Sequence, residues 1–198
     1  MRYAIIGFGS IGKALAKAFA RKGIAVSVAT TRDPESFAAE AAAIGPEVGT
    51  TTLAGAVKAD VIFLAPRFEA HPVVAKALSN WTGKTIVDVM NTNAPPEELG
   101  GQPSSVVIEK AFPGARLVKG FNHLIAAKLD QDPGQNGGRR VVFLASDDED
   151  AAAEIGELAE KLGFAPVKLG GLSEGGLLVQ ARGEVWGRLI FQDLVKPD

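Results

Sequence analysis

Gly7-Phe8-Gly9-Ser10-Ile11-Gly12 follows directly on the apolar run Tyr3-Ala4-Ile5-Ile6 and opens Ile11–Lys22, where apolar residues recur at helical spacing. A G-x-G-x-x-G pattern by itself is a weak signal. Here it has a strand before it, a helix after it and a second strand candidate about twenty residues on, the context of a dinucleotide fingerprint. Each glycine then has a physical task. Gly7 permits the tight strand-to-helix turn, Gly9 lets the backbone approach a pyrophosphate, and Gly12 lets helix and strand pack closely. The free amides at the start of the helix complete an anion site that includes Phe8, Ser10 and Ile11.

Outward from this stretch, short apolar runs alternate with longer Ala-rich amphipathic ones. Strand candidates are Tyr3–Gly7, Ala25–Thr30, Val48–Thr52, Asp60–Ala65, Thr85–Val89, Arg116–Gly120, Arg140–Ala145 and Pro166–Leu169. Helix candidates are Ile11–Lys22, Pro34–Ile44, Leu53–Lys58, Pro72–Ser79, Ser104–Phe112 and Asp150–Leu162. Several strand runs are continuously apolar, the pattern of strands covered on both faces. The alternation predicts an α/β fold, a doubly wound and mainly parallel sheet of the NAD(P)-binding Rossmann type. Residues 131–139 are polar and Gly/Pro/Asn-rich, which predicts an exposed, mobile loop. Leu177, Leu178, Ala181, Val185, Leu189 and Leu194 fall near helical spacing and predict a C-terminal helix over Leu177–Val195. The expected organisation is a single domain over residues 1–198, with 170–198 as its C-terminal helical extension.

The end of the second strand selects the dinucleotide. An NAD site places Asp or Glu there for the ribose 2′-hydroxyl, whereas this chain has Thr30-Thr31-Arg32. Two hydroxyls and a guanidinium suit a 2′-phosphate, which favours NADP(H). Asp33, just before Pro34, reads as the N-cap of the next helix. Ligands of such folds lie beyond the carboxyl ends of the strands. The segments that emerge there are Ala65-Pro66-Arg67, Asp88 through Asn93, and Gly120-Phe121-Asn122-His123. Ala65, Pro66 and Asn91 would border the nicotinamide half, and Arg67 suits either a phosphate or a ring. Asn122 and His123 would face the acceptor and are the candidates for a catalytic role.

Composition narrows the chemistry. The chain has 198 residues and no cysteine, which excludes disulfides, thiolate metal sites and a cysteine nucleophile. Its 21 Lys and Arg against 23 Asp and Glu, a net charge of −2, recommend neither nucleic acid nor an anionic membrane as partner. No run is long enough to span a bilayer, and Lys13 and Lys17 interrupt what would otherwise mimic a signal peptide, so a cytoplasmic location is expected. Asp147-Asp148-Glu149-Asp150 reads as a cap for the helix that follows, not as a metal cluster. The two histidines, His71 and His123, complete a thin inventory of acids and bases. A reaction in which the cofactor carries the chemistry is therefore favoured.

With these residues in view, the chain resembles the NADP-dependent coenzyme F420 (deazaflavin) reductases over nearly its whole length. The likeness rests on Gly7–Gly12 and on Thr31-Arg32, similar to that family's Ser-Arg pair for the 2′-phosphate. Phe63-Leu64-Ala65-Pro66, Val87-Asp88-Val89-Met90-Asn91 and Val118-Lys119-Gly120-Phe121-Asn122 extend it, as does Ala145 through Asp148 with Leu162-Gly163-Phe164. The ferric-reductase domain of certain membrane metalloreductases looks like a more distant relative. The resemblance implies NADP binding and reversible hydride transfer between nicotinamide and a flat, flavin-like acceptor such as coenzyme F420 or a flavin. The chain departs from the pattern at Thr92, at His123, where Thr is common, at Ser36, where a basic residue is common, and in Gly170–Gln180, which has no Arg. Two further readings stand beside this one. One is a homodimeric NADPH reductase of a small imino or keto acid, and the other is a non-catalytic NADP(H) sensor. In every case the partner expected is a small molecule.

Overall fold

Alternate residues of the central strands part to opposite faces of one sheet. Ile5, Phe63, Val87 and Val118 join one apolar cluster, while Ala4, Ile62, Ile86 and Leu117 join another, and all eight are at most 4% exposed. Strands buried on both faces need helices on both sides, which is why the apolar runs are continuous in the sequence. The structure, a computed structural model, describes residues 1–135, 137–181 and 193–194. Its parallel strands are β1 (Tyr3–Ile6), β2 (Val26–Ala29), β3 (Val48–Thr50), β4 (Val61–Leu64), β5 (Thr85–Asp88) and β6 (Arg116–Gly120). They lie in the order β3-β2-β1-β4-β5-β6, and the predicted doubly wound fold is observed.

The helices on one face are α1 (Ser10–Arg21) and α7 (Glu149–Lys161). Phe19 of α1 meets Phe63 at 5.5 Å, Phe63 meets Phe121 at 5.8 Å, and Phe121 meets Phe164 at 5.7 Å, so a chain of edge-on rings runs along this face from α1 to the end of α7. Phe121 adopts φ +60°, the left-handed region that a bulky residue occupies only when its surroundings hold it there. The flanking rings do so. On the other face, Trp81 packs on Phe112 at 4.8 Å beside α5 (Ser104–Ala111). Asp148 caps α7 by accepting the amide of Ala151 at 2.8 Å, and Asp33 accepts the amide of Glu35 at 3.0 Å, both in the roles their sequence context suggests. Short helices α2 (Ala38–Ala42), α3 (Leu53–Ala56), α4 (His71–Ala75) and α6 (Ala126–Leu129) complete the layers between β2 and residue 130.

Three local expectations are corrected. The helix expected over Pro34–Ile44 is a 3-10 turn, Pro34–Phe37, followed by α2, because Phe37 leaves helical geometry to bury its ring. The loop expected at 131–139 contains a hairpin: β7 (Gly134–Gln135) pairs antiparallel with the start of β8 (Gly138–Ala145), and Gly137 supplies φ +79° in the tight turn. A helix does begin in the C-terminal stretch, α8 (Gly175–Leu178), but it ends at Leu178. Val179 then buries itself against Val141 and Phe143, while Leu177 and Leu178, which the helical spacing assigned inward, stay exposed. Residues 182–192 of the expected helix lie outside the described residues, and β10 (Asp193–Leu194) pairs antiparallel with Arg139 and Arg140. β9 (Ala165–Lys168) runs parallel to β8, which itself lies antiparallel beside β6. Among the described residues no helix is long and apolar enough to cross a membrane.

Candidate functional site

The strand order reverses at β1, whose neighbours are β2 and β4, and a switch of this kind opens a crevice at the carboxyl ends. Gly7 sits at its floor, donating its amide to the Ala29 carbonyl at 2.8 Å, while Ala65 donates to Ile6 at 2.8 Å. Gly7 has φ +105°, and a Cβ there would come within 2.5 Å of the Ala65 carbonyl oxygen and the Pro66 nitrogen. A Cβ on Gly12 would overlap the carbonyl oxygen of Gly7. Both glycines are thus fixed by close backbone approach. Gly9 is different: its φ of −82° suits any residue, and no atom lies within 4 Å of the position its Cβ would take. It is also the N-cap of α1 and gives that helix no side-chain cap, so the first-turn amides face the opening without an intrahelical partner.

The cleft built around these residues has a volume of about 530 Å³, within the size range of small-molecule sites. Of the residues expected to hold a dinucleotide, Gly7, Phe8, Gly9, Ser10, Ile11, Thr30, Thr31, Arg32, Ala65 and Pro66 line it. Gly12 lies one layer below, in the helix–strand contact. Asn91 stands apart, exposed at the end of β5 and exchanging hydrogen bonds with Asn122: its Nδ2 donates to the Asn122 carbonyl at 2.8 Å and its Oδ1 accepts from Asn122 Nδ2 at 3.0 Å.

The structure does not bring Asn122 and His123 to the cleft. Asn122 is buried and gives its second Nδ2 bond to the Val179 carbonyl at 2.7 Å, leaving its Oδ1 without a hydrogen-bond partner among the described residues. His123 is buried against Phe143, with ring centroids 4.8 Å apart, and its Nε2–H donates to the Val141 carbonyl at 3.1 Å. Burial pushes its pKa down to about 4. With its Nε2–H given to Val141 and its charged form disfavoured by burial, the ring packs against β8 at the exit of β6, away from the cleft.

That burial has a pH signature. The unfolded imidazole takes up its proton near the ordinary value of 6.5, whereas the folded one resists until about 4. This contribution is complete above pH 6.5, declines as the pH falls towards 4 and totals about 3 kcal/mol. Urea unfolding at pH 7 and pH 4.5 should show a smaller loss in His123→Gln than in the parent protein. Equal losses would mean that His123 is not buried neutral.

Sequence reasoning missed the apolar wall formed by Leu53, Ala70, Val73 and Val74, the ends of α3 and α4 that converge on the cleft. It also missed an aromatic platform. Phe37 lies 5.6 Å from Phe8, and the Arg32 guanidinium sits 5.3 Å above the Phe37 ring. Lys13 lies 5.7 Å from the Phe8 ring and is ion-paired to Glu40. The inward turn of Phe37 therefore holds the Arg32 side chain in place. Among the described residues no carboxylate lines the cleft, whereas the guanidiniums of Arg32 and Arg67 do. The open side of Gly9, the uncapped α1 amides and this charge balance fit a phosphate-bearing dinucleotide. Asp147 serves the fold instead, accepting the Leu172 amide at 2.9 Å, and no metal-ligand cluster is present among the described residues.

Strand order and cleft define a dinucleotide-binding fold of the Rossmann class. Residues 2–92 match the family described as NADP oxidoreductase, coenzyme F420-dependent, and over this segment the chain is similar to that family. A hypothetical protein from Sinorhizobium meliloti, SMa0349, is 36% identical and superposes with a TM-score of 0.91 over 100% of this chain and 96% of its own. A candidate F420-dependent NADP-reductase from Arthrobacter sp. FB24 is 28% identical, with a TM-score of 0.70 over 87% of this chain and 86% of its own. The mouse metalloreductase STEAP2 is 31% identical over 174 residues, covering 85% of this chain and 33% of its own length. The chain thus spans about a third of the length of the curated relatives it matches.

Proposed function

We propose that the cleft holds NADPH and that the protein passes its hydride to a flat, flavin-like acceptor, with coenzyme F420 as the leading candidate. The observation that carries the cofactor is the presence of Thr30, Thr31, Arg32 and Arg67 in a cleft that no carboxylate lines among the described residues. The 2′-phosphate lies on Thr31 and Arg32, because an anion there gains charge-assisted bonds that a ribose hydroxyl does not. The pyrophosphate rests on the backbone from Gly9 to Gly12, and Ala65 and Pro66 direct the nicotinamide towards the ends of β5 and β6. When bound, NADPH supplies the hydride. The chain's own task is to hold the dinucleotide in one geometry and to leave the reacting ring accessible. No titratable acid is needed at the reacting atoms, in keeping with a neutral, interior His123. The acceptor is supported by the name of the Arthrobacter relative, and a ferric acceptor by the name of the mouse one.

The test follows loss of reduced-nicotinamide absorbance with coenzyme F420, FMN, FAD and a ferric chelate as acceptors, with NADH run in parallel. Turnover with coenzyme F420 and a strong preference for NADPH is expected. Turnover with none of the four would refute the acceptor class. Arg32→Glu is expected to weaken NADPH binding by about 100-fold, through loss of a charge-assisted pair and added repulsion, while NADH affinity stays within a few-fold. Unchanged NADPH affinity in this variant would remove the 2′-phosphate assignment.

A further inference from the structure

We infer that Arg67 is an adenine clamp, its guanidinium plane lying on the purine of the bound dinucleotide while Arg32 serves the 2′-phosphate. The inference rests on the proposed binding of NADPH and assigns Arg67 a part in it. Arg67 is exposed at the rim of the cleft, on the wall that follows β4, whereas Arg32 stands on the wall that follows β2. Arg32 is committed to the Phe37 ring. Among the described residues the Arg67 side chain has no hydrogen bond, ion pair or ring contact, and only its carbonyl is engaged, accepting the Ala70 amide at 2.9 Å. Its backbone is nevertheless fixed. Pro66 precedes it, Phe68 beside it is buried, and the His71 ring packs 5.0 Å from Phe68 while its Nδ1–H donates to the Phe68 carbonyl at 2.6 Å.

The cleft that the two arginines share has an apolar wall of Leu53, Ala70, Val73 and Val74. A planar heteroaromatic ring suits it better than a second phosphate does. A guanidinium held at the rim of such a slot gains most by stacking, because its weakly hydrated plane matches a π-face. A lysine would retain the charge and lose the plane.

Calorimetric titration of the parent protein, Arg67→Lys and Arg67→Leu with 2′,5′-ADP and with 5′-AMP tests the assignment. The Arg67 side chain is exposed and makes no hydrogen bond or ion pair with a described residue, so both variants should fold as the parent does. Stacking predicts that each variant loses about tenfold in affinity for both nucleotides alike. Parent-like affinity in Arg67→Lys would overturn the clamp, as would a loss confined to 2′,5′-ADP, which would make Arg67 a phosphate ligand. Failure of the parent protein to bind 2′,5′-ADP would be a separate result, bringing down the NADPH reading together with the clamp.

Discussion

Gly9→Asp is expected to abolish NADPH binding while leaving the protein as stable as before or slightly more so. Gly7→Ala and Gly12→Ala are expected to be strongly destabilised. The contrast follows from where a side chain would go at each position. At Gly12 a Cβ meets the Gly7 carbonyl oxygen, and at Gly7 it meets the Ala65–Pro66 peptide from a backbone at φ +105°. Neither obstacle is a flexible side chain that could swing away, so the sheet and α1 must separate, at a cost of about 3 kcal/mol or more in each variant. At Gly9 the Cβ meets nothing, and an aspartate would cap the exposed amides of α1, a gain of about 0.5–1 kcal/mol. Those amides are the ones proposed for the pyrophosphate. A carboxylate placed there competes for them and repels the ligand, and a loss of at least about 100-fold is expected. Urea unfolding and NADPH fluorescence titration on the three variants read the two effects separately. A Gly9→Asp protein that bound NADPH normally would show that the cleft is not the pyrophosphate site.

The same distinction explains how much of the molecule was legible in its sequence. β4 was readable because every one of its residues is both apolar and buried, so the run of apolar letters and the double-sided packing are one fact. The glycine loop was readable because each constraint on it acts within a few residues or across to the neighbouring strand. Phe37 was not, since helical periodicity cannot show that one aromatic leaves its helix to support an arginine five residues earlier. Val73 and Val74 escaped for a related reason: they look like the inner face of a helix, and only the placement of α4 turns them to the cleft. His123 was misread because its position after β6 is correct while its direction is set by Val141 and Phe143, on a strand that pairs from the other side. Among the described residues, the C-terminal stretch departs from expectation because Val179, not Leu177 or Leu178, takes the buried place.

Lys119→Met is expected to destabilise the protein by about 3–5 kcal/mol, although methionine matches the length and shape of the lysine stem. Lys119 and Asp88 face each other in the parallel register of β5 and β6, both at most 1% exposed, with Nζ 3.0 Å from Oδ2. The ammonium also donates to the Met90 carbonyl at 2.5 Å, while Asp88 Oδ1 accepts the Met90 amide at 2.9 Å. Removing the cation alone leaves a carboxylate in the core with one hydrogen bond and no counter-charge. Asp88→Asn in the Lys119→Met background removes that charge and keeps an oxygen for the Met90 amide. The double variant should therefore recover a large part of the loss, and a double-mutant cycle by urea unfolding should show a coupling of about 1–3 kcal/mol. Additive single effects would mean that the two groups do not depend on one another. The pair also pins both backbone groups of Met90, so it fixes the path by which the chain leaves β5 and presents Asn91 to Asn122. A charged pair at this depth gains little in net stability over an apolar one, and its contribution is directional: it locks β5 and β6 in one register at the edge where the proposed acceptor must meet the nicotinamide.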